Sequence, residues 1–100
     1  MDVQRSLRTV IATGKVLIGA DQTTKAVERG EAKLVILATN APQKDALRTL
    51  ATQKRVPVYD FEGMGTQLGP ACGKPFPISA LAVLDAGQSD VMALAKVARA

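Results

Sequence analysis

Four short apolar runs, separated by stretches with the spacing of amphipathic helices, constrain the fold of this chain more than any other feature. None approaches the ~18 apolar residues that a membrane span needs, and the first two are continuously apolar, which predicts strands buried on both faces. Strands that alternate with helices in this way are typical of a three-layer α/β/α sandwich. The residue pattern alone favours an all-parallel sheet. The predicted strands are residues 15–19, 34–38, 56–61 and 78–84.

Glycine, proline and capping residues mark the helices between these strands. Pro57 cannot donate to a strand ladder, so the third strand should lie at a sheet edge. Pro42 suits a first helical turn, with Asn40 before it as a candidate cap and Ala46 on the inward face. The predicted helices run from Val3 to Gly14, from Asp21 or Gln22 to Arg29 with Gly30 behind it, from about Pro42 to Gln53, from a Thr66 cap to Gly73, and onward from a Ser89 cap.

The composition favours an anionic partner over catalysis. Thirteen Lys and Arg against nine Asp and Glu give a formal net charge of +4, which suits nucleic acid but also an ordinary charged surface. The chain has no histidine, so the commonest general base and zinc ligand is missing. Cys72 is the single cysteine, so a reducing compartment is expected. The N-terminus lacks a signal-peptide pattern, and we expect the protein to stay inside the cell.

Two glycine-containing stretches resemble nucleotide-binding motifs but differ from them in detail. Gly63-Met64-Gly65 lacks the third glycine of a dinucleotide-binding fingerprint. The stretch 69–74 has three residues between its first two glycines where a phosphate loop has four, and Pro75 stands where Ser or Thr is required. Cys72 is expected to be a buried, unreactive thiol, and the acids are scattered over different elements. A small α/β enzyme or nucleotide-binding module is therefore the weaker class of function.

Three turns are expected at one end of the sandwich, and their residues suit RNA. Gly19 and Ala20 are small enough for another backbone to approach, and the N–H groups of the helix start after them attract phosphate. Asn40 offers a donor and an acceptor to a base, or is only a helix cap. Lys25 reaches back towards a phosphate, or is only solvated. Phe76, held between two prolines, suits stacking on a splayed base, or is only a lid on the core.

Together these residues resemble the L-thirty-e family of archaeal and eukaryotic large-subunit ribosomal proteins, within the wider kink-turn RNA-binding superfamily. The resemblance covers essentially the whole chain. Its first stretch identifies the superfamily, and its second stretch favours the ribosomal member. The first comprises Gly14, Lys15, Gly19, Lys25, Arg29, Gly30, Lys33 to Ile36, Ala38, Asn40 and Pro42, and the second Leu68, Gly69, Gly73, Lys74, Phe76, Leu81, Val83, Asp85, Gly87, Ser89 and Asp90.

The resemblance implies a four-stranded mixed sheet in the sandwich and a single domain over residues 1–100. Such a domain clamps a kink-turn, an asymmetric internal loop with tandem sheared G·A pairs and a bulged nucleotide. By resemblance, Lys25 takes a backbone phosphate, Asn40 reads a base edge and Phe76 stacks beside the bulge. The residues implied in RNA binding are Gly19, Ala20, Asp21, Gln22, Lys25, Asn40, Lys74 and Phe76.

Asp21 differs from the residue pattern of the wider superfamily, which often carries Asn-Glu at the positions of Asp21 and Gln22. A carboxylate brings negative charge towards RNA unless it accepts from guanine N–H groups or caps its own helix. Of these two roles we favour the helix cap.

The resemblance thus implies a non-catalytic, structural component of the large ribosomal subunit that binds ribosomal RNA at a kink-turn. A general kink-turn binder of guide-RNA particles is the alternative. The expected partners are large-subunit ribosomal RNA and neighbouring ribosomal proteins, with no membrane, small-molecule substrate, cofactor or metal. We expect the protein in the cytoplasm on the ribosome, and as a monomer away from it.

Overall fold

The computed structural model of the chain describes residues 3–89 and Met92. In this part of the chain helices and strands alternate, and the predicted ends of the first two helices at Gly14 and Gly30 are confirmed. No described helix is long and apolar enough to cross a membrane. Beyond Ser89 and Met92, the last predicted helix lies outside the described residues. The elements are α1 (Val3–Thr13), β1 (Lys15–Ile18), α2 (Ala20–Glu28), β2 (Leu34–Leu37), α3 (Lys44–Gln53), β3 (Val58–Asp60), α4 (Gly65–Ala71) and β4 (Ala80–Asp85).

The four strands form one mixed sheet in the order β1-β4-β2-β3. β4 is antiparallel to β1 and to β2, whereas β2 and β3 are parallel. After β3 the chain forms α4, which runs away from the end of β3. The loop after α4 then brings the chain back to the start of this helix, where Ile78 N–H donates to Gly65 O at 3.0 Å. β4 therefore starts at the edge where β3 ends. The mixed sheet implied by the resemblance is confirmed, and the all-parallel sheet favoured by the residue pattern is wrong.

β2 is the centre of the core, with Leu34, Val35, Ile36 and Leu37 all fully buried. Its even-numbered residues pack in the layer of α1 and α4, and its odd-numbered residues pack in the layer of α2 and α3. Burial of each large aliphatic side chain contributes about 1.5–3 kcal/mol. This strand therefore joins the two helical layers, and the three-layer α/β/α sandwich is confirmed.

Both outer strands of the sheet differ in extent or burial from the prediction. Pro57 does mark an edge strand, but regular pairing covers only Val58–Asp60. β1 is the other edge, and among the described residues it pairs only with β4. Lys15 is exposed and the rest of β1 is only half-buried. Burial of β1 on both faces was therefore a wrong expectation.

Three helices begin at residues other than those predicted. α2 begins at Ala20 rather than at Asp21 or Gln22. Gln43 precedes α3 with φ 58°, in the left-handed region, so the helix starts at Lys44 rather than near Pro42. Within α3, Ala46 is exposed, contrary to prediction. Thr66 lies inside α4, and Met64 occupies the cap position.

Candidate nucleic-acid interface

The loops that follow β1, β2 and β3 and the loop that precedes β4 meet at one edge of the sheet. Gly19 N–H, after β1, donates to Ala80 O at the start of β4 over 2.8 Å. Ala38 N–H, after β2, donates to Ser79 O at the same distance. Strand direction thus gathers segments that are far apart in sequence. We call residues 19–22, 39–43, 61–66 and 75–79 the loop edge, and residues 29–33, 54–57 and 85–88 at the opposite edge of the sheet the far edge.

The N-terminus of α2 opens onto the loop edge without a side-chain cap. Gly19 occupies the cap position with φ 107° and ψ 153°, a conformation that L side chains rarely adopt. Apart from its chain neighbours, no described residue has an atom within 4 Å of the position a Cβ would take. Asp21 lies inside the first turn, so our expectation that it caps α2 is wrong. The first N–H groups of the helix are therefore left for solvent or a ligand.

The side chains of α2 on this side are polar and exposed. Asp21, Gln22 and Lys25 are all exposed, while Ala20 is half-buried against the core beneath them. Asp21 and Lys25 are four residues apart, which puts them on one face of the helix. The lysine therefore offsets the negative charge that Asp21 brings to the loop edge. Thr23 is fully buried, and its hydroxyl has no partner among the described residues.

Asn40 connects two loops of the loop edge. Its Oδ1 accepts a hydrogen bond of 2.8 Å from the N–H of Gly65, the first residue of α4. Asn40 is therefore a helix cap, but of α4 and not of the helix that follows it in sequence. The residue is exposed, and no described residue accepts from its Nδ2. One half of the amide supports the fold, and the other half can donate to a ligand.

Phe76 is one of two large apolar side chains that stand exposed among the described residues, with 46% of its surface accessible. Its backbone packs directly on Gly69 of α4, where an added Cβ would lie 1.8 Å from Phe76 O and 3.1 Å from the Cα of Pro77. Only glycine permits this contact. Phe76 is thus fixed by its backbone while its ring remains accessible.

Met64 is the other exposed apolar side chain, with 49% of its surface accessible. It follows β3 at the loop edge, and its N–H donates to Gln67 Oε1 at 2.9 Å. The sequence indicated the Gly63-Met64-Gly65 stretch only as a candidate nucleotide motif and did not indicate it as part of the site. The parallel direction of β2 and β3 was the signal that could have placed it there.

Two further lysines border the loop edge at different depths. Lys74 is half-buried, and its N–H donates to Gly69 O at 3.0 Å, so it lies back along α4 rather than at the edge itself. Lys44, which the sequence reasoning missed, begins α3 and brings its Nζ within 3.5 Å of Thr39 O. The late start of α3 is what brings this lysine to the loop edge.

The acids near the loop edge are partly compensated. Asp60, at the end of β3, forms an ion pair with Arg48 of α3. Burial and the neighbouring Glu62 carboxylate raise the pKa of Tyr59. Lysines of α2, α3 and the loop after α4 also border the loop edge. Together these groups offer cations, backbone donors and an exposed ring to an anionic, aromatic ligand.

The described residues do not bring together a catalytic or metal-binding group. Cys72 is buried, and burial raises the pKa of its thiol to about 11 even though the Lys74 and Arg8 charges lower it. A thiol in this state is a weak nucleophile. Within residues 3–89 and Met92, no three His, Cys, Asp or Glu side chains are grouped as a metal site.

The sequence of the chain matches the model of the ribosomal protein L7Ae/L30e/S12e/Gadd45 family over residues 1–93. The chain belongs to this family. The family includes the L30e group that the two stretches of similarity indicated, so that resemblance is confirmed.

Curated relatives from archaea are similar over nearly their full length. The large ribosomal subunit protein eL30 of Methanosarcina mazei is 47% identical over 93 residues, which cover 93% of this chain and 88% of the relative. The eL30 protein of Methanospirillum hungatei is 46% identical over 96 residues, which cover 96% of this chain and all of the relative. The eL30 protein of Methanocaldococcus jannaschii is 45% identical over 94% of this chain and 87% of the relative.

Proposed function

We propose that this protein is a structural component of the large ribosomal subunit and that its loop edge binds ribosomal RNA at a kink-turn internal loop. The family match and the names of the eL30 relatives support the ribosomal part. The observation that carries the RNA-binding part is the convergence of an uncapped helix start, the Asn40 amide and the Phe76 ring from three different strand ends.

Each group at the loop edge has a distinct role in this proposal. The open space at Gly19 admits the RNA backbone, and the first N–H groups of α2, together with Gln22, hydrogen-bond to it. Lys25 neutralises a phosphate. Asn40 donates through Nδ2 to a base edge, since its Oδ1 is already engaged by α4. Phe76 stacks on an unstacked base.

Asp21, Lys44 and Lys74 complete the proposed interface. Asp21 is free of a capping role, so its carboxylate accepts from guanine imino or amino groups, which offsets the cost of bringing a negative charge to RNA. Lys44 and Lys74 contact phosphates on either side. Residues 1–100 act as one RNA-binding domain without catalysis or cofactor, monomeric away from the ribosome. The ribosomal names of the relatives support this location over a guide-RNA particle.

A gel-shift titration with two RNAs tests the proposal. One RNA carries a kink-turn, and the other carries the same strands with the tandem G·A pairs replaced by Watson–Crick pairs. We expect the protein to bind the kink-turn at least about tenfold more tightly, a difference of about 1.4 kcal/mol. Equal affinities would contradict kink-turn recognition. Co-sedimentation with large subunits in a sucrose gradient tests the ribosomal assignment separately.

A further inference from the structure

A basic surface lies on the outer side of α1 and α4, next to the loop edge but outside the residues assigned above, apart from Lys74. It consists of Arg8 on α1 and of Gly73 and Lys74 after α4, and we call it the α1–α4 flank. Neither residues 3–14 nor residues 63–84 contain a single Asp or Glu. The opposite layer carries Asp21, Glu28 and Asp45 on its two helices, so acid-free basic character is confined to one side of the described molecule.

Arg8 is exposed and extends across to the end of α4. Its Nη2 donates to Pro70 O at 3.4 Å, a long and therefore weak hydrogen bond. An added Cβ on Gly73 would lie 3.6 Å from Arg8 Cγ and 3.7 Å from its Nε. The Arg8 side chain thus lies along the last turn of α4. It forms no ion pair with a described acid.

Lys74 follows directly after the glycine that Arg8 covers. Both cations lower the pKa of the Cys72 thiol against the larger effect of burial, so both charges lie near the end of α4. From Gly73 the chain reaches Phe76 in three residues, a span of at most about 11 Å. The flank is therefore a direct continuation of the loop edge past Phe76.

We infer that the α1–α4 flank is a second phosphate-binding surface, which holds the backbone of the RNA helix that leaves the kink-turn on the Phe76 side. This inference rests on the proposed function, since Phe76 must first contact the RNA. A guanidinium that is weakly held by one carbonyl can still present its remaining N–H groups to phosphate oxygens. Among the described residues the flank carries no carboxylate that would repel a polyanion, and this charge complementarity favours RNA as its occupant.

The test compares Arg8→Gln with the control Arg29→Gln, which removes an exposed arginine at the far edge. Binding constants are measured between about 50 and 200 mM salt for a kink-turn RNA with short stems and for two versions in which either stem is lengthened by about ten base pairs. We expect one lengthened RNA to bind the wild type more tightly with a steeper salt dependence. With that RNA, Arg8→Gln should lose about threefold to tenfold in affinity and about one unit of slope.

The short-stem RNA and a second variant separate this role from a structural one. Arg8→Gln should bind the short-stem RNA like the wild type, and Arg8→Lys should keep the slope with the lengthened RNA because the charge remains. If Arg8→Gln weakens all three RNAs equally, Arg8 acts only through the structure as a cap of α4. If it behaves like Arg29→Gln throughout, Arg8 is only solvated surface, and either result overturns the inference. Failure of the proposed function is distinct, since the wild type would then bind the G·A-replaced RNA as well as the kink-turn.

Discussion

The side-chain oxygen of Asn40 accepts a hydrogen bond of 2.8 Å from the backbone N–H of Gly65, which lies 25 residues further along the chain. This bond ties the loop after β2 to the first residue of α4 and leaves the Nδ2 group of the amide facing outward. The fold therefore engages only Oδ1, and the proposed RNA contact would use Nδ2, which makes the two roles separable by substitution.

Asn40→Asp should retain the fold and lose RNA affinity. The carboxylate still accepts from Gly65 N–H and interacts favourably with the start of α4, but it cannot donate and it repels phosphate. We expect an unchanged or higher melting temperature and at least about tenfold weaker kink-turn binding, or about 1.4 kcal/mol. Asn40→Ala, by contrast, should also lower stability by about 0.5–2 kcal/mol through loss of the cap. If Asn40→Asp binds RNA normally, Nδ2 takes no part in recognition.

Phe76→Ala should weaken binding to a kink-turn RNA by about 1–3 kcal/mol, because base–aromatic stacking is lost. The ring is nearly half exposed, so thermal unfolding should change little. Phe76→Tyr is the matched control, since it retains the stacking surface and should bind within about threefold of the wild type. Isothermal titration of the three proteins provides the measurement. Equal affinity of Phe76→Ala and the wild type would remove this ring from the interface.

Gly69→Ala should disturb the loop that carries Phe76. The added methyl group would collide with Phe76 O, and relief of such overpacking costs about 1–3 kcal/mol. We expect this loss in urea unfolding, together with weaker RNA binding at a temperature where the variant is folded. Gly30→Ala is the control, because its Cβ meets no atom within 4 Å and only its φ of 73° is unfavourable. It should lose stability but keep RNA affinity, and the same result for Gly69→Ala would refute the link to Phe76.

Lys25→Gln should flatten the salt dependence of RNA binding by about one unit of slope, the contribution of one neutralised phosphate. Lys54→Gln removes an equally exposed lysine at the far edge and should leave the slope as it is. Filter-binding assays over a series of salt concentrations compare the two variants with the wild type. An identical slope for both variants would show that Lys25 is only solvated surface.

The Cys72 thiol should make stability fall at alkaline pH. Its pKa is raised to about 11 in the folded state, so above the ordinary value near 8.5 the unfolded chain loses the proton first. The stabilising contribution is complete below pH 8.5 and is lost as pH rises to 11, on the order of 3 kcal/mol. Urea unfolding at pH 8, 9.5 and 11 measures it, with Cys72→Ala as the reference. Parallel pH profiles of the two proteins would contradict the assignment.

The features that the sequence predicted are those encoded by neighbouring residues. The continuous run at residues 34–38 is fully buried, Pro57 marks an edge strand, and the prolines around Phe76 accompany an exposed ring. In each case the residues of one short stretch are sufficient to explain the structural feature.

The features that the sequence did not predict depend on residues that meet only in the fold. The cap of α4 comes from Asn40, and the contact of Arg8 joins residues 62 positions apart. The start of α3 depends on the left-handed conformation of Gln43, which a glutamine does not indicate in sequence. Because α3 was expected to start earlier, Lys44 was missed, and because β3 was not recognised as a contributor to the loop edge, Met64 was missed as well.

The antiparallel β4 also determines when the protein becomes able to bind during its synthesis. β4 is the last described strand in the chain, yet it lies between β1 and β2, so these two strands cannot be joined in the native sheet until it has emerged from the ribosome. A nascent chain that ends before residue 85 contains the α2 start and Asn40 but lacks the complete strand that joins β1 to β2. The loops that follow β1 and β2 therefore take up their native relative positions only after the last described strand of the sheet has been synthesised.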